Sequence, residues 1–163
     1  MARRRKKKIA PIVPPSAGPL PERLAARFAG QVLVFSDASL KRHGGLAAVL
    51  FDAPDGTPRV TTRTVAPDGS NELELQAALF ALAEARHRFP GRQLALFSDN
   101  QDAVLRLQRA QMHGVAQDPL LAALPTRDAI AAALTGVAIC WIKGHSSCRG
   151  NALADQHAAE AAA

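Results

Sequence analysis

Four carboxylates stand where folding alone explains an acid poorly. Asp37 closes the apolar run QVLVFSD, Asp99 closes LALFSD, Glu74 opens the helical pattern NELELQAALFAL, and Asp155 sits in GNALADQHA shortly after WIKGHS. An acid placed directly after four or five buried residues projects at the end of a strand, on the rim where open α/β sheets build their ligand sites. Carboxylates converging there repel one another unless a hard divalent cation holds them together. The donors are all oxygen, and no Cys or His set has ligand spacing, so the expected cation is Mg2+, with Mn2+ able to substitute.

The elements that must position these acids follow from periodicity. After PLPERLAARFAG, where Leu20, Leu24 and Phe28 recur at helical spacing and suggest a short helix packing on the body, QVLVFS, GLAAVLF and RVTTRTV form a three-strand meander, broken by turns at KRHGG and APDGTP. Leu75, Leu79 and Leu82 predict a helix over 71–88 that ends before Pro90 and Gly91. QLALFS is a fourth strand, 100–110 a helix, 118–135 a helical stretch broken at Pro125, GVAICWIK a fifth strand and 150–162 a closing alanine-rich helix. The order is βββαβαβα. Asp102 and Asp118 read as ordinary helix residues, and Trp141 as a side chain packed in or against the sheet rather than a platform for bases.

That order, with SDAS at the first strand, SNELELQA at the first long helix, SDNQDAV after the fourth strand and IKGHSS followed by NALAD, resembles the type 1 ribonuclease H family from about Val32 to Ala159. The resemblance implies an α/β ribonuclease H-like fold, a five-stranded mixed sheet flanked by helices. It places Asp37, Glu74, Asp99 and Asp155 as metal-binding catalytic acids and His145 as an auxiliary catalytic residue. Glu74 rather than Glu72 takes the glutamate position, because Leu75 and Gln76-Ala77-Ala78 then follow in the family's order. Taken singly, the acids have structural explanations: Asn71 with Glu74 has the spacing of a capping pair, Asp99 could serve a helix start, and Asp155 could be a solvated acid. Their joint occurrence in this order favours the site.

The implied activity is endonucleolytic hydrolysis of the RNA strand of RNA–DNA hybrids, leaving 5′-phosphate and 3′-hydroxyl ends. Phosphodiester hydrolysis needs an activated water, a neutralised pentavalent phosphorus and a stabilised leaving oxygen, which two Mg2+ ions can supply. By resemblance Asp37 bridges both ions, Asp155 shares the one that activates water, and Glu74 with Asp99 holds the other. His145 can shuttle a proton near neutral pH. The residues expected to contact substrate are Ala38, Ser39, Ser70, Asn71, Lys143 and Asn151. Ala38 replaces the glycine usual in the family, the first hairpin is short, and 105–118 lacks the basic, tryptophan-bearing insertion of some members.

Composition sets the remaining bounds. The 163 residues suit a single catalytic domain over 31–163, preceded by a basic, proline-rich tail over 1–18 expected to be disordered and a short linker helix over 19–30. The formal charge is +6, and Arg3 to Lys8 supply six of the 20 basic residues, leaving fourteen against fourteen acids elsewhere. Such a run attracts nucleic-acid phosphates without reading sequence. No stretch approaches a membrane span or a secretory core, and Cys140 and Cys148 form neither a zinc set nor a disulfide framework, so a cytoplasmic monomer without membrane contact is expected. Two other readings stay open: a DNA or structure-specific nuclease on the same fold, and an inactive nucleic-acid-binding module. A DnaQ-like exonuclease is disfavoured, since Ser39 stands where that group has glutamate.

Overall fold

The computed structural model describes residues 18–53, 56–144 and 148–163. The basic run Arg3 to Lys8 and His145 lie outside the described residues. A short helix, α1 (Glu22–Ala25), precedes three strands, β1 (Val32–Leu40), β2 (Gly44–Phe51) and β3 (Arg59–Val65). Then come α2 (Ser70–Arg88), β4 (Leu94–Ser98), α3 (Gln101–His113), α4 (Pro119–Ala123), α5 (Arg127–Leu134), β5 (Ala138–Trp141) and α6 (Arg149–Ala162). The sheet runs β3-β2-β1-β4-β5, with β1, β2 and β3 antiparallel and β4 and β5 parallel to β1.

β1 is the central strand, and its unbroken apolar run follows from burial on both faces. Val32 and Val34 join the cluster beneath α2, with Leu46, Leu73, Leu75 and Leu96. Leu33 and Phe35 join a second cluster on the opposite face, with Phe28, Phe51 and Phe97. There Phe35 stacks on Phe97 at 5.2 Å, while Phe28 meets Phe97 edge-on at 5.0 Å. β3 lies at the sheet edge, where Arg59 and Arg63 discourage pairing with another chain.

Residues 19–30 do the packing that their helical spacing allows, and two other segments differ from the sequence expectation. Residues 19–30 are built into the core: Leu20 and Phe28 are each only 5% exposed, and the Gly18 and Pro19 carbonyls accept hydrogen bonds from the Arg149 and Gly150 amides. Two of the unpaired amides at the start of α6 are thereby satisfied. The first hairpin turns over Lys41–His43 alone, because Gly44 and Gly45 belong to β2. Asp118 is no ordinary helix residue: it is the N-cap of α4, accepting from the Leu120 and Leu121 amides, ahead of Pro119 at the first helical position.

Gly45 has its place because α6 crosses the sheet closely. A Cβ there would collide with the Ala158 carbonyl and stand 2.6 Å from the Ala162 amide nitrogen. At the other end of the helix, a Cβ on Gly150 would enter the Phe35 ring. Small side chains thus let α6 lie against β1 and β2, and the Thr64 hydroxyl fastens its last turn by donating to the Ala161 carbonyl at 2.8 Å. Gly45→Ala should therefore lower stability by roughly 1–3 kcal/mol through overpacking against backbone that cannot yield. Gly69→Ala, whose Cβ would meet only the Glu72 side chain at 3.8 Å, should change it by much less. Parallel thermal or urea denaturation of the two variants checks the difference.

Candidate active site and metal centre

Parallel pairing aligns Phe35 of β1 with Phe97 of β4, so Asp37 and Asp99 each fall two residues further on, at the same level. β4 ends at Ser98, whereas β1 continues to Leu40 in antiparallel register with β2, Asp37 opposite Ala47. Asp37 is thus not at the strand's end, as the apolar run suggested. It sits where the parallel partner stops, in an interior stretch of β1, and is only 3% exposed.

Glu74 reaches the same point from the second turn of α2. α2 is capped at Gly69 with no side-chain bond, so Asn71 and Glu74 do not form a capping box. The Asn71 Oδ1 instead accepts from the Asn100 side-chain amide at 3.1 Å, joining the starts of α2 and α3. Asn100 also caps α3, accepting from the Ala103 amide at 2.8 Å, which leaves Asp99 without that duty. The capping explanations for Glu74 and Asp99 therefore fall away. Asp37, Glu74 and Asp99 each offer an oxygen within 4.8 Å of the others.

Asp155 stands outside that tight group and is exposed, yet α6 brings it alongside. Gly150 lies on Phe35, and Ala158 lies against Gly45, the register partner of Ser39. Eight helical residues rise roughly 12 Å and four strand residues about 13 Å, so α6 and β1 run in step. Asp155 accordingly comes level with Asp37, and its charge acts on both Asp37 and Glu74.

The electrostatics are those of crowded, buried acids. Burial, then the charges of Glu74 and Asp99, push Asp37 up to about 10. Burial likewise raises Glu74, to about 7, against the opposing hydrogen bonds it accepts from Asp37 and the Ala38 amide. Glu74 Oε2 is buried with no hydrogen-bond partner. Protons held against such crowding, and an oxygen left without a donor, fit a divalent cation, whose charge would displace the protons. The donor set of carboxylate oxygens suits Mg2+ or Mn2+.

Around the cluster, Arg106 holds α2, α3 and the start of α4 together. Its guanidinium meets Asp118 at 2.7 and 3.1 Å, Glu72 at 3.0 Å and Asp102 at 3.5 Å. The Asp-Pro pair at 118–119 is a helix-start signal that could have revealed Asp118's role in the sequence. Nothing local announced its partnership with Arg106.

The expected substrate residues divide. Ser70, Asn71 and Lys143 are exposed, Ser39 is half-buried, and Asn151 is buried at 2% exposure. The Ala38 amide already donates to Glu74, and the Ala38 methyl packs against the cluster beneath α2, on the face away from Phe35. Arg149, beside the histidine loop, lies over the Phe51 ring at 6.0 Å. Trp141 corrects the sequence reading: it is 45% exposed, and its indole N–H donates to the Asp99 carbonyl at 2.9 Å.

A family model described as RNase H matches residues 29–163. The chain belongs to the RNase H family. No curated protein matches it. Solved structures show the RNase H fold: the N-terminal RNase H domain of rv2228c from Mycobacterium tuberculosis, studied as a maltose-binding-protein fusion, superposes with a TM-score of 0.63 at 18% identity, covering 82% of this chain and 94% of that one. RNase H1 from the halophilic archaeon Halobacterium salinarum NRC-1 gives 0.60 at 24% identity, with 81% and 97% covered. LC11-RNase H1, in complex with an RNA/DNA hybrid, gives 0.58 at 17% identity, with 80% and 95% covered. The mixed sheet and flanking helices expected from sequence are the RNase H architecture.

A buried acid whose folded pKa is raised contributes stability that is present below its ordinary range and lost as pH rises toward the folded value. For Asp37 that window runs from about 4 to about 10. In chelator the protein should therefore lose stability as pH rises through it. Asp37→Asn should be more stable than the parent at pH 8 by about 1–3 kcal/mol, or roughly 3–10 °C in Tm. Adding Mg2+ should raise the parent's Tm and leave the variant's nearly unmoved. Scanning calorimetry with EDTA and with Mg2+ checks both signs.

Proposed function

We propose that this RNase H protein is an endoribonuclease that cuts the RNA strand of RNA–DNA hybrids with two divalent cations, leaving 5′-phosphate and 3′-hydroxyl ends. The observation that carries the proposal is the meeting of Asp37, Glu74 and Asp99 within 4.8 Å, with Asp155 alongside. Family membership supports nuclease chemistry, and the hybrid held by LC11-RNase H1 makes the same duplex the first substrate to try.

Asp37, at the centre of the cluster, would be shared between two cations, Asp155 would serve the water side, and Glu74 with Asp99 the leaving-group side. Bound Mg2+ would lower the pKa of the attacking water and neutralise charge on the phosphoryl oxygens. Ser70 and Asn71, exposed at the start of α2, would meet the 2′-hydroxyls that separate RNA from DNA. Lys143 would take a phosphate. His145 would shuttle a proton to or from the departing group.

The deciding experiment is cleavage of matched hybrid, duplex RNA and duplex DNA, with Mg2+, with Mn2+ and in excess chelator. Hybrid should be cut far faster than duplex DNA, only with metal, and a single ribonucleotide embedded in DNA should be cut poorly. Asp99→Asn should abolish most cleavage, and His145→Ala should slow it less, since the carboxylates remain. Duplex DNA cut as fast as hybrid would promote a DNA nuclease on this fold, and no cleavage of any duplex would leave a binding module.

The basic run is the proposed electrostatic grip on the duplex, in place of the insertion missing from 105–118. The described chain enters at Gly18, bonded to the start of the helix that carries Asp155, ten residues after Lys8. Replacing Arg3 to Lys8 with Gln and Ser should weaken hybrid binding and flatten its salt dependence, with turnover at saturating substrate little changed. An unaltered salt slope would give the tail another partner. Gly18 should be kept in any truncation, because its carbonyl serves α6.

A further inference from the structure

We propose that the end of β5 sets the position of Asp99, with Gly144 and Trp141 as positioning residues for this metal-binding carboxylate. The proposal rests on the reading of the cluster as a metal centre. β4 stops at Ser98 and α3 begins at Gln101, so Asp99 belongs to neither the sheet ladder nor the helix. Backbone between two elements is free to shift unless something outside holds it. Here the chain leaving β5 makes three contacts in succession.

First, the Ile142 amide donates to the Ser98 carbonyl at 3.0 Å, extending the pairing one step past the strand. Next, the Trp141 indole N–H donates to the Asp99 carbonyl at 2.9 Å. Trp141 stays 45% exposed on an edge strand while making this bond, so burial of the ring does not by itself account for a tryptophan there. Last, Gly144 lies against the Asp99 side chain: a Cβ at that position would stand 2.8 Å from Oδ2, 3.3 Å from Cβ and 3.4 Å from Cγ.

The backbone of Gly144 is not among the positive-φ glycines, Gly30, Gly91, Gly114 and Gly136. Its dihedrals thus do not demand glycine in the way theirs do. The demand comes from space, and the occupant of that space is the carboxylate. Gly144 and Trp141 therefore hold Asp99 from its side-chain end and its backbone end. Neither touches the other two carboxylates in any contact described, so their effect should pass through Asp99.

The test titrates Mg2+ and Mn2+ into the full-length protein by calorimetry for Asp99→Asn, Gly144→Ala, Trp141→Phe and the parent. Cleavage of the hybrid is measured over a range of Mg2+, and Tm is recorded in chelator. Gly144→Ala should lower metal affinity about 10- to 100-fold, the usual size for groups that orient a ligand. Its cleavage should recover at correspondingly higher Mg2+, and its chelator Tm should stay within a few degrees of the parent. Trp141→Phe, which keeps an aromatic ring but loses the indole N–H, should shift metal affinity in the same direction by several-fold. If Asp99→Asn weakens metal binding while Gly144→Ala and Trp141→Phe bind as the parent does, the positioning role is wrong and the metal centre stands. If Asp99→Asn binds as tightly as the parent, the metal reading of this carboxylate falls, and the positioning role with it. Should Gly144→Ala fail to fold, Trp141→Phe decides alone: parental affinity overturns the proposal and weakened affinity supports it.

Discussion

Three carboxylates brought within 4.8 Å repel one another, and burial of Asp37 at 3% exposure adds the loss of hydration to that repulsion. The arrangement exists only because each acid is fixed by a different rigid element. Asp37 is held by the β1–β2 ladder, Glu74 by the core-packed α2, and Asp99 by the junction of β4, α3 and the chain leaving β5. The well-packed body offsets the cost of crowding and burying these acids. Marginal stability gives this a consequence, since a few kcal/mol of stored repulsion is a large share of what a domain has.

Close approach is the second theme, and glycine and alanine make it possible. Gly45 and Gly150 admit α6 against β2 and Phe35, and Ala154, Ala158 and Ala162 are fully buried beneath it. Larger residues along that face would lift the helix and carry Asp155 away from Asp37. The alanine content of α6 is therefore part of the geometry of the site, as well as a matter of helix propensity. Gly144 applies the same rule to a side chain, leaving room for a carboxylate.

A single amide shows how substrate contact and site architecture compete. The Ala38 N–H supports Glu74 and is thereby engaged, so it is not open to the substrate contact expected of it, while the Ala38 methyl packs toward α2. The replacement of glycine by alanine is accommodated in the core of the sheet. The proposed contacts to 2′-hydroxyls fall instead to the exposed start of α2, where Asn71 is bonded to Asn100.

The sequence by itself determined the order of elements and the candidate acids, because both are written in local pattern. Periodicity distinguishes strand from helix, Pro125 separates α4 from α5, and an acid after a buried run is a local anomaly. Tertiary structure decided everything that depends on two distant segments meeting. It placed Asp37 inside β1, because the hairpin with β2 carries the strand past its apolar run to Leu40. It set how residues 19–30 pack, because Leu20 and Phe28 find Phe97 and its neighbours only in the folded chain. It gave Trp141 its bond to Asp99, 42 residues away, and Arg106 its bonds to Glu72 and Asp118 on other elements. Contacts of that separation leave no trace in spacing or composition: they follow from sheet order and helix approach, which are set by packing of the whole chain.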